Sequence, residues 1–204
     1  MEIKHFWQKA EYLLIENVCS EDELRLCRNE IEIMSGMLEP PEKTGSAVDS
    51  NNQVRKQNKG VFFSSLFSPK YCDSSPCAKT IDKVIKAVRE REYTPHSVMN
   101  YIQSGSVSYS ILLSGYEAGD YYKTHHDTST LTLLFWLKNK NFSGGDLEFT
   151  DFKEKVSFKD NSVLIFPGHY LHAVDEVISH ESGFVRYVIS AFLYPCGVDR
   201  KDAL

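Results

Sequence analysis

The sequence predicts a mainly β chain of the α+β class, with helices flanking the sheets on the N-terminal side. About eight short runs with strand character, separated by turn residues, follow one another between residues 107 and 194. Two amphipathic helical patterns precede them within residues 1–100. Short strands with turns between them are typical of a β-sandwich, a jelly roll or a barrel. No helix-length segment alternates with the strands, which argues against a parallel α/β sheet.

The two helices are predicted from their end signals. Ser20 has Glu23 three residues later, the pattern of a capping box, and Gly36 is placed to end this first helix. In the second helix Ser75 would be the N-cap and Pro76 the first helical residue. The apolar residues of both helices recur at helical spacing, so we interpret both stripes as core packing.

A long polar segment, residues 38–60, lies between the helices and is rich in turn-forming residues. A loop of this length in a compact domain is usually either functional or disordered. Two interpretations therefore stay open. The loop is a lid over a bound peptide, contacted by Arg55, Lys56 and Lys59, or it is a disordered surface loop.

The strands of the β region are predicted from short apolar or alternating runs bounded by turns such as "SGYEAGD", "SGG", "KDN" and "PG". The eight runs are "VSYSILL" (107–113), "YYKTHHD" (121–127), "LTLLFWL" (131–137), "DLEFT" (146–150), "EKVSF" (154–158), "SVLIF" (162–166), "YLHAVD" (170–175) and "FVRYVISAFLY" (184–194).

Size and charge narrow the class of protein. The 204 residues suit a single domain over residues 1–204, with a helical N-terminal part (1–100) and a β core (101–195). The net charge of −5 gives no general attraction to nucleic acid or to anionic membranes. The apolar runs are far shorter than a membrane span, and the N-terminus lacks the apolar core of a signal peptide.

The cysteines predict a reducing compartment. Their number is odd and they form no CxxC pair, which favours free thiols in the cytoplasm. They are Cys19, Cys27, Cys72, Cys77 and Cys196.

Two histidines stand beside an aspartate in "THHDTSTLTLLFWL", residues 124–137. Because residues i and i+2 of a strand share one face, His125 and Asp127 would point the same way and His126 the other way. A buried imidazole beside a buried carboxylate needs a partner. A metal ion is one possibility, and a hydrogen-bonded His–Asp pair in a core is the other.

Further along the chain two more polar residues fall within apolar strands. His172 is surrounded by apolar residues, whereas His169 lies in the preceding turn and is expected to be solvated. Arg186 is predicted to share the inward face of its strand with Ser190. A buried guanidinium needs an anionic partner, either a protein carboxylate or an acidic cosubstrate. His-x-Asp, a distant His and an Arg together match the 2-His-1-carboxylate arrangement of non-haem Fe(II) oxygenases.

The sequence resembles the Fe(II)/2-oxoglutarate-dependent dioxygenases of the prolyl 4-hydroxylase type. The motifs that carry the resemblance are "GYEAGDYYKTHHD", "FSGGDLEF", "LIFPGHYLHAV" and "GFVRYVISAF". It is strong over residues 107–194, and residues 12–36 resemble the helical start of the same family. The resemblance implies a distorted double-stranded β-helix, which is a jelly roll.

The resemblance also implies roles for individual residues. The iron ligands, which are themselves the catalytic set, would be His125, Asp127 and His172. Residues at positions that contact 2-oxoglutarate in family members are Arg186, Ser190, Tyr116 and Trp136. Trp136 stands where several members have tyrosine, so this position of the pocket lining departs from the family pattern. Gly144 and Gly145 match a tight Gly-Gly turn.

The implied activity is hydroxylation of an unactivated C–H bond, with Fe(II), 2-oxoglutarate and O2, ascorbate as reductant, and release of succinate and CO2. The expected substrate is a prolyl or other residue of a peptide or protein. A free amino acid or small metabolite is the alternative, and nucleic acid is not favoured because no dense basic stripe accompanies the site. A non-catalytic jelly-roll module with a structural metal is the alternative from another class.

Overall fold

The computed structural model describes residues 1–45, 48, 51, 53–66, 74–103 and 107–195. Cys72, Cys196 and five positions of the predicted loop (46, 47, 49, 50 and 52) lie outside the described residues. The helices are α1 (Glu21–Ser35), α2 (Phe63–Leu66), α3 (Pro76–Arg89) and α4 (Asn100–Gln103), with a 3-10 helix over Pro41–Lys43. The strands are β1 (Glu2–Phe6), β2 (Tyr12–Glu16), β3 (Lys59–Phe62), β4 (Val107–Tyr116), β5 (Tyr122–His125), β6 (Leu131–Lys138), β7 (Ser143–Gly144), β8 (Leu147–Phe149), β9 (Glu154–Val156), β10 (Ser162–Pro167), β11 (His172–Val174), β12 (Val177–Ile178) and β13 (Arg186–Pro195).

Two facing antiparallel sheets form the body of the fold. The larger has seven strands in the order β1-β2-β10-β6-β13-β4-β3, and the smaller has four in the order β5-β11-β8-β9. β7 and β12 pair separately. This is the predicted architecture, a mainly β jelly roll of the double-stranded β-helix type with flanking helices.

The large sheet has a core on each face. On one face the apolar side chains of α1 and α3 pack against it, and on the other the small sheet does. Strand β6 shows the division, because Leu133 and Phe135 face the helices whereas Leu134 and Trp136 face the small sheet. A strand buried on both faces has no polar alternation, which explains the continuous apolar run of β6.

Both helix starts were predicted correctly. The Ser20 hydroxyl accepts a hydrogen bond from the Glu23 amide, and the Glu23 carboxylate accepts one from the Ser20 amide. At α3 the Ser75 hydroxyl accepts from the Ala78 amide, and Pro76 is the first helical residue. Such caps satisfy amides that have no partner inside the helix.

The prediction that residues 1–100 are a helical part omitted the strands of this region. Three strands also lie there, and residues 12–16, taken as part of a helical start, are strand β2. β2 joins the large sheet between β1 and β10 and is buried at four of its five positions. Its sequence, "YLLIE", therefore lacks the alternation that marks a strand with one solvated face.

The described parts of the loop 38–60 are attached to the sheets. Glu39 and Gly60 exchange two backbone hydrogen bonds, each 2.9 Å long. At residues 55–57 of the loop, the Lys123 amide donates to the Arg55 carbonyl (2.7 Å), and the Gln57 amide donates to the Tyr121 carbonyl (3.2 Å). The segment around Lys56 thus continues the small sheet beyond its edge strand β5.

The described cysteines and helices fit the predicted class of protein. Cys19, Cys27 and Cys77 are buried free thiols, as predicted for the described cysteines. Among the described helices, none has the length and apolar character that crossing a membrane requires.

Candidate active site

Two histidines and one aspartate meet where the small sheet faces the large one. His125 ends β5, His172 begins β11, and the two are directly paired in the antiparallel ladder. Their ring centroids are 4.2 Å apart, and the Asp127 Oδ2 lies 3.8 Å from the His172 Nε2. One potential ligand atom from each of the three residues lies within 4.8 Å of the others, so the group could hold a metal ion. In the part of the chain that the structure describes, no other cluster of His, Cys, Asp or Glu has this spacing.

Asp127 reaches this group by a route that the sequence did not predict. Strand β5 ends at His125, so the alternation of a strand does not place Asp127 beside it. Instead the chain bends, and the Asp127 amide donates to the Gly168 carbonyl (2.8 Å) in the turn before β11. His169 is exposed, as predicted. His126 is also exposed, but it does not face away from the site as predicted, because it lines the same cavity as His125 and Asp127.

The backbone fixes the tautomer of both histidines. The Nδ1 of His125 lies 2.8 Å from the Lys123 carbonyl oxygen, and the Nδ1 of His172 lies 2.8 Å from the Tyr170 carbonyl oxygen. A carbonyl only accepts, so each Nδ1 carries the proton and each Nε2 is left with its lone pair. Burial, reinforced by His172, holds the pKa of His125 well below its ordinary value of 6.5. His125 is therefore neutral at pH 7, which is the form that binds metals.

The Asp127 carboxylate is oriented by a buried hydroxyl. The Thr132 Oγ1 donates to the Asp127 Oδ2 at 2.5 Å, and the Ser129 and Thr132 hydroxyls are 2.9 Å apart. Burial raises the pKa of Asp127, because a carboxylate is poorly solvated there. A divalent cation between the three ligands would remove that penalty. Sequence reasoning missed Thr132, although a hydroxyl residue inside an apolar strand was a usable signal.

Arg186 is the second polar feature of the site. It is 1% exposed, and its guanidinium carbon lies 4.9 Å from the ring centres of Tyr116 and Phe158 and 6.0 Å from that of Trp136. Nη1 donates to the Gly145 carbonyl, whereas Nε has no hydrogen-bond partner among the described residues. Burial lowers the pKa of Arg186 to about 10, so the side chain stays charged at neutral pH.

The Gly-Gly turn lies against this arginine. Gly144 and Gly145 have φ angles of +69° and +67°, a region that favours glycine. A Cβ on Gly145 would lie 2.8 Å from the Arg186 Nη1, and one on Gly144 would lie 2.3 Å from the Glu176 carbonyl oxygen. The turn is thus needed for close approach as well as for chain reversal.

A cavity of about 560 Å³ joins the metal group to the arginine. This volume is in the usual range for ligand sites. Tyr116 and Ser190 also line it, at the positions that the sequence suggested. Trp136 does not line it, because this side chain lies fully buried beneath Arg186 in the second core.

The residues present fit an iron ion and a 2-oxo diacid. Two neutral imidazoles and a carboxylate are the donor set of non-haem Fe(II) sites, and the adjoining cavity leaves room for further ligands. Arg186 lines the cavity as a buried cation, and its Nε is a donor with no partner among the described residues, so the guanidinium suits an anionic ligand. The jelly roll and this site together match one class of proteins, the non-haem iron oxygenases.

The comparison with protein families makes the class specific. Residues 111–194 match the model of the 2OG-Fe(II) oxygenase superfamily. This part of the chain is similar to that superfamily, and the similarity implies Fe(II), 2-oxoglutarate and O2 as the cofactors of the site.

Solved structures with the same fold are similar over almost the whole chain. A viral collagen prolyl hydroxylase from Paramecium bursaria Chlorella virus-1 is 17% identical, with a TM-score of 0.54, over 89% of this chain and 94% of that one. A prolyl-4-hydroxylase from Pseudomonas putida is 12% identical, with a TM-score of 0.56, over 92% and 94%. IDO from Bacillus thuringiensis is 16% identical, with a TM-score of 0.53, over 90% of both chains. No curated protein matches the sequence.

Proposed function

We propose that the protein is a hydroxylase of the prolyl 4-hydroxylase type, acting on a prolyl or other residue of a peptide or protein. The observation that carries the proposal is that one cavity holds both the His125, Asp127 and His172 group and the buried guanidinium of Arg186. The fold shared with two prolyl hydroxylases supports the choice of substrate class.

In this proposal each polar residue of the site has one role. His125, Asp127 and His172 hold the iron through Nε2, a carboxylate oxygen and Nε2. Arg186 binds the distal carboxylate of 2-oxoglutarate, with Ser190 beside it. When bound, Fe(II) with 2-oxoglutarate and O2 supplies the oxidising power that inserts oxygen into a C–H bond, and succinate and CO2 are released.

Other residues of the chain position the metal ligands and exclude water from Arg186. The carbonyls of Lys123 and Tyr170 keep both imidazoles aimed at the ion, and the Thr132 hydroxyl does the same for Asp127. The aromatic rings around Arg186 keep water from the guanidinium, which strengthens its interaction with a carboxylate. In this mechanism no side chain has to donate or remove a proton.

The residues that line the cavity suggest that the substrate enters beside the loop 38–60. Lys43, Thr44 and Gly45 line the same cavity as the metal group. We infer that this stretch acts as a lid over the substrate, which is the first of the two interpretations of the loop 38–60. The buried free thiols and the lack of a spanning helix in the described chain are compatible with a cytoplasmic enzyme.

The test is to titrate 2-oxoglutarate into the anaerobic Fe(II) protein while following the visible charge-transfer band of the chelate. Removing one partner of a buried ion pair costs roughly 3–5 kcal/mol, so Arg186→Ala should weaken binding about 100- to 4,000-fold. Arg186→Lys should fall between, because it keeps the charge but loses the two-pronged geometry. Ser190→Ala should cost only about 1 kcal/mol.

Arg28→Ala is the matched control, since this arginine is exposed and pairs with Asp160 away from the cavity. The iron affinity should be unchanged in all these variants. An unaltered 2-oxoglutarate affinity in folded, iron-loaded Arg186→Ala would contradict the proposal. Succinate release, together with a one-oxygen mass gain in proline-containing peptides, separates a hydroxylase from a metal-binding module without catalysis.

A further inference from the structure

A second buried cation lines the cavity, and the proposed chemistry does not use it. Lys56 is 2% exposed and lies in the segment that pairs with β5. Its ammonium is 5.4 Å from the centre of the Tyr122 ring, and that ring is stacked on the imidazole of His125 at 3.5 Å. The lysine therefore lies one aromatic ring away from the metal group.

The partners of this ammonium are neutral. Nζ donates to the Thr44 Oγ1 (2.8 Å) and to the Thr44 carbonyl (3.2 Å). Among the described residues it forms no ion pair within 4.0 Å, although Asp127 and Glu42 favour its charge from further away. An ammonium has three N–H donors, so one is left. A buried charge without a counterion is costly, and a charged side chain in this setting beside a cavity is a candidate for ligand binding.

The charge balance of the loaded site indicates what that ligand is. Because a metal-bound imidazole carries no charge, Fe(II) and Arg186 would balance Asp127 and the two carboxylates of 2-oxoglutarate. Lys56 then leaves one positive charge in excess. Lys43 also lines the cavity, but it is well exposed and paired with Glu39. A substrate with one anionic group near the iron would neutralise the excess.

We propose that the Lys56 ammonium binds a carboxylate of the substrate beside the iron. This inference rests on the proposed function and makes the substrate class narrower, namely a carboxylate-bearing molecule. The carboxylate can belong to an acidic or C-terminal residue next to the hydroxylated one, or to a free amino acid. A purely structural lysine that only ties the loop to Thr44 would show no preference for anions.

The experiment uses the full chain loaded with Zn(II), which does not turn over, and saturated with 2-oxoglutarate. Saturation-transfer NMR is recorded with butyrate and with butyramide, which differ in charge but not in shape. We expect transfer to butyrate alone. Lys56→Met should weaken butyrate binding tenfold or more, and Lys56→Arg should retain it. Lys155→Met is the matched control and should leave butyrate binding unchanged, because this exposed lysine pairs with Asp175 and does not line the cavity.

Failure to bind butyrate in the wild-type complex, or equal binding by Lys56→Met, overturns the inference. The 2-oxoglutarate titration on the same proteins separates the two proposals. If 2-oxoglutarate does not bind the wild type, the proposed function fails. If it binds the wild type and is lost in Lys56→Met, the lysine serves the cosubstrate and this inference fails alone.

The source of the carboxylate is tested by competition. Free L-glutamate and the blocked peptide acetyl-Pro-Glu-amide are each added to the butyrate complex. Displacement by one identifies a free amino acid or an acidic peptide as the substrate class, and displacement by both supports recognition of the carboxylate itself. Displacement by neither overturns the substrate role, since both carry the group that the lysine would bind.

Discussion

Replacing Lys56 by methionine should make the metal-free protein more stable. Methionine has a similar length and no charge to bury. Burial lowers the pKa of Lys56 from 10.5 to about 8. At 1.36 kcal/mol per pKa unit, keeping the ammonium charged in the folded protein costs about 3 kcal/mol. The loss of its hydrogen bonds to Thr44 offsets about 1 kcal/mol of the gain. We therefore expect Lys56→Met to raise the free energy of unfolding at pH 7 by about 2 kcal/mol.

The pH dependence of this gain follows from linkage. Because the pKa of Lys56 is lower in the folded than in the unfolded chain, the unfolded chain binds more protons between pH 8 and pH 10.5. The penalty is therefore fully present below about pH 8 and disappears as the pH rises through 10.5. The advantage of Lys56→Met over the wild type should shrink across that range and be lost at its upper end.

The assay is urea denaturation of the chelator-treated proteins at pH 7 and at two values between 8 and 10.5. Lys43→Met is the control and should change the stability by no more than about 0.5 kcal/mol, since its ion pair with Glu39 is exposed. A Lys56→Met protein that is less stable than the wild type by the same amount at every pH would refute the reasoning. The lysine would then be a structural tie.

Three further predictions concern the metal site and its supports. The proposed ligands are His125, Asp127 and His172. Alanine at any of these positions should abolish both iron binding, measured by equilibrium dialysis, and turnover, measured as succinate release. His126→Ala should retain most of both. Thr132→Val should weaken Co(II) binding about 10- to 100-fold and shift its visible bands, while Thr132→Ser restores both; an unchanged affinity in the valine variant would contradict the role of the hydroxyl. Gly145→Ala should weaken 2-oxoglutarate binding at least tenfold with the iron affinity intact, because the new Cβ would lie 2.8 Å from the Arg186 Nη1; normal binding would show that the turn can shift.

The parts of the fold that could be predicted are those in which one local signal decides. The caps of α1 and α3 are formed by residues within a single turn, so their pattern was sufficient. The eight strand runs of the β region all correspond to strands, because turn residues bound them clearly. β2 was missed because it is buried on both sides and its apolar run does not alternate.

Site residues could be predicted where a polar or charged residue interrupts an apolar strand, because a buried charge needs a partner. His172 and Arg186 were noticeable as polar residues in apolar strands, and both line the cavity. Lys56 was named only as one of three basic loop residues that would contact a peptide. Its burial was not predicted, because it stands in a polar loop where a lysine is ordinarily solvated. Its burial depends on the pairing of this loop with β5, a long-range contact that no local pattern encodes. Trp136 was placed beside the cosubstrate by resemblance, but its ring lies beneath Arg186.

Because the loop pairs with β5, the residues proposed for catalysis and those proposed for substrate recognition come from different parts of the sequence. The residues proposed to bind iron and 2-oxoglutarate lie within 111–194, the part that matches the superfamily, whereas Thr44 and Lys56 come from a segment that precedes it. Substrate preference could thus be changed by exchanging residues 39–60 as a cassette, with the oxidative chemistry kept intact. The cassette would have to preserve its two points of attachment, the pairing of Gly60 with β4 and that of Lys56 with Tyr122, since the second holds Lys56 beside the cavity.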